Sequence, residues 1–268
     1  MKKAVITGIK FTGFFLGWAI AVSVLPLPAS ENPAIWRLWA EILPLLAIIA
    51  FTIAFWLMER GQIKLCLLDN WAKGTALGAA AGSVWLAAPV FVMCLTGTLH
   101  FDGRRSIPLF AVWTLAAFLN VVMQELLVRG YLYQMLKQRH NAAAAAIATT
   151  ALFTGLHGGA LEAGVIPVLN VLTMSLLMTV VLEYSGSIIA PVVMHFLWNG
   201  FGALVLGGVS LADDYPSLLI TSFTGNEMLS GGPCRMEGSV VVLAVNVIFI
   251  VFFYTLKNPY GKTGKSVL

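Results

Sequence analysis

The chain has 268 residues, of which 59% are hydrophobic and only 10% are charged. Soluble domains carry about 25% charged residues, so this composition excludes an ordinary soluble protein and indicates a membrane protein with several spanning segments. The formal net charge of +4 comes from Lys and Arg residues scattered over short loops, as membrane topology requires, and does not indicate a nucleic-acid partner.

Eight apolar segments follow one another along what we predict to be one domain, residues 1–268. We place them at residues 11–27, 36–58, 74–98, 107–128, 142–157, 164–182, 187–207 and 238–256. Most approach the roughly 20 residues that a helix needs to cross a bilayer. The sequence therefore predicts an all-α fold, a polytopic membrane bundle of about eight transmembrane helices. We find no internal repeat of fixed period, which argues against the inverted halves of many transporters.

The first segment has two interpretations. Two lysines before the apolar run, and Leu27-Pro28-Ala29-Ser30 after it, are typical of a cleaved signal peptide. Because the apolar run is long for such a peptide, we favour a retained first transmembrane helix.

The basic residues predict the orientation. With eight spans, the N-terminus, the loops 59–73 and 137–141, the turn 183–186 and the C-terminus share one side, which carries ten Lys and Arg residues against four on the other. Lys10 and Arg129 are left out of this count because they lie within or near the membrane. The positive-inside rule makes the richer side cytoplasmic. We expect a multi-pass protein of the plasma membrane with both termini in the cytoplasm.

Two features outside the motifs described below carry no predicted chemistry. The only long loop, 208–237, is rich in turn residues and is expected to form surface structure on the outer side. The sequence contains three cysteines, which are neither spaced as metal ligands nor even in number as a disulfide framework would require: Cys66, Cys94 and Cys234.

The fourth segment ends with polar residues that are costly at membrane depth, Gln124-Glu125 and then Arg129. Glu125 and Arg129 are four residues apart, so they share a helix face and can form an ion pair. Gln124 points about 100° away from Glu125. The alternative is a plain helix end from which Arg129 extends to the membrane interface.

Two later segments contain histidines. His157 ends the fifth segment and is a candidate base, metal ligand or helix cap. The predicted topology places it towards the outer end of a short span and Glu125 towards the cytoplasmic half of the fourth, so either a boundary is misplaced or His157 lies outside that site. His195 and Asn199 share one helix face in the seventh segment and could donate two hydrogen bonds to an oxyanion, or bond between helices.

These residues together allow two kinds of hydrolytic site. His157, His195 and Glu125 could bind zinc and leave an open position for water. Without a metal, a carboxylate and one histidine would polarise a water, while the other histidine and Asn199 would hold the oxyanion. Spacing does not choose between them, because the residues lie on separate helices and lack a His-Glu-x-x-His signature. Glu41, in the second segment, is expected at a membrane interface or in an ion pair, without chemistry.

At these residues the sequence resembles the CPBP family of intramembrane proteases, the group of the CAAX prenyl endopeptidase and the bacterial Abi or bacteriocin-processing proteins. The family pattern is Glu-Glu-x-x-x-Arg, Phe-x-x-x-His and His-x-x-x-Asn on successive core helices. Here the motifs are Gln124-Glu125-x-x-x-Arg129, Phe153-x-x-x-His157 and His195-x-x-x-Asn199, and the resemblance covers a motif-bearing core at residues 107–207. It implies a helical membrane fold with the site in a cavity reached from the cytoplasmic half.

The resemblance also implies roles for these residues. His157 would help to activate water, His195 and Asn199 would form the oxyanion hole, and Glu125 with Arg129 would hold the helix. The chain departs from the family at Gln124, where the first glutamate is expected, and an amide cannot act as a general base.

Three interpretations of this departure stay open. Glu125 takes the role of the base, or His157 is the base alone while Gln124 positions the water, or the protein is catalytically silent. The sequence therefore predicts an intramembrane endopeptidase that acts on a membrane-anchored peptide or protein, such as a lipidated tail, a bacteriocin precursor or a signal peptide. The alternative is a silent member of the family that acts as a peptide-binding, immunity or regulatory protein in the bilayer.

Overall fold

Helices dominate the computed structural model, which describes residues 2–211 and 214–257. The α-helices are α1 (Lys2–Val24), α2 (Pro33–Met58), α3 (Trp71–Leu95), α4 (Phe110–Glu125), α5 (Tyr131–Arg139), α6 (Ala142–Leu156), α7 (Gly158–Ala163), α8 (Val165–Ser185), α9 (Ile189–Phe196), α10 (Glu227–Ser230) and α11 (Val240–Lys257). The π-helical stretches Leu126–Gly130 and Leu197–Val205 join α4 to α5 and extend α9, and the 3₁₀ stretch Gly232–Gly238 leads into α11. Met1 and residues 258–268, the chain ends that we predict to be cytoplasmic, lie outside the described residues.

Within the described residues, six helices are long and apolar enough to cross a membrane. They are Lys3–Val24, Pro33–Met58, Trp71–Leu95, Phe110–Arg139, Val165–Ser185 and Gly232–Lys257. Two shorter apolar helices, Ala142–Leu156 and Ile189–Val205, stand where the fifth and seventh segments were predicted. Large hydrophobic side chains such as Ile9, Ile20 and Phe91 are exposed on the bundle surface, where lipid can cover them. The predicted polytopic, all-α membrane bundle is confirmed.

The fourth spanning helix is longer than the sequence predicts. We placed its end at Val128, whereas the helix runs on to Arg139 and forms a continuous apolar helix of 30 residues. The polar residues after 128 lower the hydropathy of the sequence, but Tyr131 and Gln134 are buried by neighbouring helices. Tertiary burial therefore extends a span that hydropathy alone ends too early.

Small residues bring α3 against α9. Gly74, Gly78 and Gly82 are four residues apart and lie on one face of α3. A Cβ atom at Gly78 would lie 2.5 Å from the carbonyl oxygen of Ala190, so only glycine permits this approach. The contact fixes α9, the helix that carries His195.

The long loop has more structure than its turn-rich sequence predicts. Its strand β2 (Leu219–Phe223) pairs antiparallel with β1 (Leu99–Arg104), which lies between α3 and α4. A short helix, α10, and the 3₁₀ stretch follow β2 and lead into α11. This two-stranded sheet fastens the loop to the neighbouring connection and so places the parts of the loop that line the cavity described next.

Candidate active site

A cavity of about 620 Å³ lies inside the bundle, next to two of the predicted site residues. Gln124 of α4 and His157 at the end of α6 both line it. Its apolar wall includes Trp18, Met123, Leu127, Val128, Phe153, Leu156, Pro167 and Val171. The long loop contributes Ser210, Leu211, Pro233, Cys234 and Glu237. The cavity wall is thus mostly apolar with a few polar groups, the composition that is common in ligand-binding sites.

The register of a helical hairpin brings Gln124 and His157 to the same depth. The side chain of Asn141 accepts a hydrogen bond from Ala144 N at 2.8 Å, which starts α6 directly after the turn that ends α5. Gln124 lies fifteen residues before the end of α5 and His157 fifteen residues after the start of α6. The two side chains are thus separated from the turn by equal numbers of residues, and both line the cavity.

This arrangement corrects two expectations. The sequence separates His157 from the end of the fourth span because we placed that end at Val128. With the helix running from Phe110 to Arg139, Gln124 lies at its midpoint and not towards the cytoplasmic half. The conflict therefore came from a misplaced boundary, and His157 shares the cavity with Gln124.

The cavity wall also bears on the predicted direction of entry. Its loop residues come from 208–237, which the basic residues place on the outer side. The family resemblance instead implies entry from the cytoplasmic half. The two expectations point to opposite sides of the bundle, and the membrane orientation stays a prediction.

The surroundings of His157 determine its tautomer. Its Nδ1 lies 2.7 Å from the carbonyl oxygen of Phe153. Because a carbonyl can only accept, Nδ1 must carry the proton, which leaves Nε2 as an acceptor. The ring of Phe153 packs against the imidazole with its centroid 4.3 Å away. An oriented imidazole with a free acceptor nitrogen is suited to take a proton from water.

The side-chain amide of Gln124 is also held in one orientation. Its Nε2 donates to Oδ1 of Asn120 at 2.7 Å. Its Oε1 is buried and has no hydrogen-bond partner among the described residues. An unpaired buried acceptor costs about 1–3 kcal/mol, so Oε1 is poised to accept a hydrogen bond from a water or a substrate amide. The side chain can therefore orient a water molecule in the cavity.

Glu125 and Arg129 form the centre of a separate, fully buried network. Both side chains are 0% exposed, and Arg129 Nη1 donates to both oxygens of Glu125 at 2.9 Å. Arg129 Nη2 donates to the backbone oxygen of Ser175 at 2.7 Å and to its Oγ at 3.1 Å, which connects the helix to α8. Glu125 is not part of the cavity wall. Its oxygens are thus engaged in holding helices together, which favours a structural role over that of a base.

His195 joins this network from α9. Its Nδ1 donates to Glu125 Oε1 at 2.8 Å, since a carboxylate can only accept. Asn199 follows four residues later in the π-helical stretch, and both side chains are buried, 2% and 6% exposed. Neither lines the cavity, although the ring of Phe153, which does, lies 6.2 Å from that of His195. The structure thus brings Gln124 and His157 together on one cavity wall, with His195 next to Phe153, and it leaves Asn199 outside the cavity lining.

The predicted zinc ligands do not converge. Within residues 2–211 and 214–257, no group of three or more His, Cys, Asp or Glu side chains is placed to hold a metal ion. Glu125 already accepts from Arg129 and His195, and it lies off the cavity that His157 lines. The residues present therefore do not fit a zinc site built from Glu125, His157 and His195.

Sequence reasoning missed three polar groups near the site. Asn120 is four residues before Gln124, and this spacing alone could have indicated the contact. Glu41 forms an ion pair with Arg37, one of the two predictions for it, but its hydrogen bond from Asn120 was not predicted. Glu237 lines the cavity from a loop to which we assigned no chemistry, and no local signal in the sequence predicts its position.

Comparison with known proteins agrees with the motif analysis. Residues 106–201 match the family model described as type II CAAX prenyl endopeptidase Rce1-like. The matched range begins just before α4, ends within the π-helical stretch after α9, and contains all three motifs. The searches of curated proteins and of solved structures returned no match. Through residues 106–201, the match supports the assignment of this chain to the CPBP/CAAX protease family.

Proposed function

We propose that the chain is an intramembrane endopeptidase that hydrolyses a membrane-proximal peptide bond without a metal ion. The observation that carries this proposal is the shared position of Gln124 and His157 on the wall of one cavity inside the bundle. The family match over the same helices supports it.

The proposed reaction begins with a water between these two side chains. Gln124 Oε1 accepts a hydrogen bond from one O–H group of the water, and His157 Nε2 removes the other proton as the water oxygen attacks the substrate carbonyl carbon. The side-chain amide of Asn199 is the proposed donor to the negative charge that forms on the carbonyl oxygen, and His195, beside Phe153 and on the same helix face as Asn199, is its proposed partner. His157 then returns its proton to the departing amine, so the C–N bond breaks and the carboxylic acid forms.

The substrate class follows from the cavity wall and from the motifs. Met123, Leu127, Val128 and Leu156 offer an apolar surface that suits a lipid-modified or apolar peptide segment. We therefore propose a membrane-anchored substrate, either a lipidated C-terminal tail or an apolar precursor such as a signal peptide or a bacteriocin precursor.

The residue at position 124 provides the test of this function. We expect the purified protein to cleave membrane-anchored peptides slowly, and Gln124→Glu to raise kcat by tenfold or more because it supplies the missing carboxylate near the water. The measurement is peptide hydrolysis with prenylated and unmodified apolar substrates side by side. Gln138→Glu, on the exposed face of α5, is the matched control and should leave kcat unchanged.

The same assay tests a second candidate function. Because Gln124 has no basicity, the chain could instead bind a membrane peptide without cleaving it, as an immunity or regulatory protein would. Binding without turnover in the chain as given, together with cleavage by Gln124→Glu, would favour this alternative. Binding without turnover in both would contradict the peptidase proposal.

Asn199 offers a separate test of the oxyanion hole. Removal of one such donor costs about 10²–10³ in kcat in other enzymes, so we expect a loss of that size for Asn199→Ala with KM little changed. His195→Ala should also remove activity, but it takes away the partner of Glu125 and should lower the melting temperature as well. A kcat that survives Asn199→Ala would contradict the assignment.

A further inference from the structure

A buried carboxylate lies at the far end of a hydrogen-bonded chain from Gln124. Glu41 of α2 is only 5% exposed and accepts a hydrogen bond from Asn120 Nδ2 at 2.8 Å. Asn120 Oδ1 accepts in turn from Gln124 Nε2 at 2.7 Å. An ionisable group inside a membrane bundle is costly and is a functional candidate by default. The proposed catalytic steps leave Glu41 without a role.

This chain of hydrogen bonds has one direction. A carboxylate can only accept, so Asn120 must present its NH₂ group to Glu41 and its oxygen to Gln124. Gln124 must then donate through Nε2, which leaves Oε1 as its free acceptor. That Oε1 is the buried atom without a partner in the described part of the chain. Glu41 therefore determines which end of the Gln124 amide can accept a hydrogen bond.

Charged and aromatic side chains hold Glu41 in place. Arg37, one turn earlier on α2, donates from Nη1 to Glu41 Oε1 at 3.4 Å, and the hydroxyl of Tyr215 is 3.4 Å from the same oxygen. Arg37 also pairs with Asp214, and its guanidinium lies 5.2 Å from the ring centroid of Tyr215. The long loop thus braces the carboxylate, and Arg37 supplies the counter-charge that a buried anion needs.

We propose that Glu41 and Asn120 are positioning residues for the hydrolysis described above, and that they hold Gln124 so that Oε1 accepts a hydrogen bond from the attacking water. Each amide in the chain polarises the next, so the negative charge of Glu41 strengthens Oε1 as an acceptor. Gln124 thereby gains part of the effect of a carboxylate without becoming a base. This inference rests on the proposed function.

The test is how the effect of Glu41→Gln depends on the residue at position 124. With Gln124 in place, Glu41→Gln replaces a group that can only accept with one that can also donate, so the side-chain amide of Asn120 is no longer held in one orientation. We therefore expect kcat to fall about tenfold with KM unchanged. In the Gln124→Glu background the new carboxylate needs the NH₂ group of Asn120 for itself, so adding Glu41→Gln should not lower kcat. An equal loss in both backgrounds would indicate a merely structural role and overturn the proposal.

Thermal unfolding in detergent tests the chain of hydrogen bonds independently of turnover. Gln124→Glu directs two carboxylates at Asn120, so we expect it to lower the melting temperature more when Glu41 is present than when Glu41→Gln is added. Equal shifts in melting temperature would contradict the proposed chain of hydrogen bonds, whether or not the protein cleaves peptides. Unequal shifts in melting temperature without turnover in any variant would support the chain of hydrogen bonds and contradict the proposed hydrolysis.

Glu59→Gln is the matched control for losing a buried carboxylate. Glu59 is 8% exposed and accepts hydrogen bonds from Lys10 at 2.8 Å and Arg139 at 2.7 Å, but it does not line the cavity. We expect this variant to lower the melting temperature with kcat unchanged. A fall in kcat equal to that of Glu41→Gln would contradict a specific role for Glu41.

Discussion

Arg129→Met is expected to lower the free energy of unfolding by about 3–5 kcal/mol, because it leaves the carboxylate of Glu125 buried without its cation. Arg129 and Glu125 are both 0% exposed. The substitution also removes the two bonds to Ser175 that connect the fourth spanning helix to α8. Methionine keeps an unbranched side chain of similar reach, so the loss reports charge and hydrogen bonding more than packing.

The measurement is the melting temperature of the purified protein in detergent. Lys137→Met is the matched control, since Lys137 also pairs with a carboxylate, Glu183, but is 37% exposed. Partly exposed ion pairs are worth about 0–1 kcal/mol, so this variant should melt near the parent. Adding Glu125→Gln to Arg129→Met should recover part of the loss because no buried charge then remains unpaired. An unchanged melting temperature for Arg129→Met would contradict the structural role of the pair.

His157→Ala is expected to lower kcat by about 10²–10⁴, the usual contribution of a general base. The fold should survive, because the one hydrogen bond of the imidazole goes to Phe153, one turn earlier in its own helix. Hydrolysis of membrane-anchored peptides gives kcat, and thermal unfolding checks the fold. His140→Ala, exposed at the turn between α5 and α6, is the control and should match the parent in both measurements.

Retained turnover in His157→Ala would move the role of the base elsewhere. Glu237 lines the same cavity from the 3₁₀ stretch at the end of the long loop, and its Oε2 accepts a hydrogen bond from Ser210 N at 2.9 Å. If adding Glu237→Gln then removes the residual turnover, Glu237 is the general base, and this result would contradict the role proposed for His157.

Local patterns predicted much of this protein because they reflect contacts within one helix. Hydropathy located the eight apolar segments, six of which correspond to long spanning helices and two to shorter apolar ones. The four-residue spacing of Glu125 and Arg129 predicted their ion pair, and the 100° step predicted that Gln124 faces a different side. Hydropathy failed at the end of the fourth helix, where the polar residues beyond Val128 are buried by other helices.

By itself, the sequence determined the class of the protein, the order of its helices and the motif residues from which the site is drawn. Only the tertiary structure decided which of these residues meet: Gln124 with His157 across a helical hairpin, His195 with Glu125, and Glu41 with Asn120. The physical reason is that spacing along a chain specifies one helix face, whereas contacts between distant residues depend on how helices pack. Close packing through glycines such as Gly78, and the true length of the fourth helix, set that geometry.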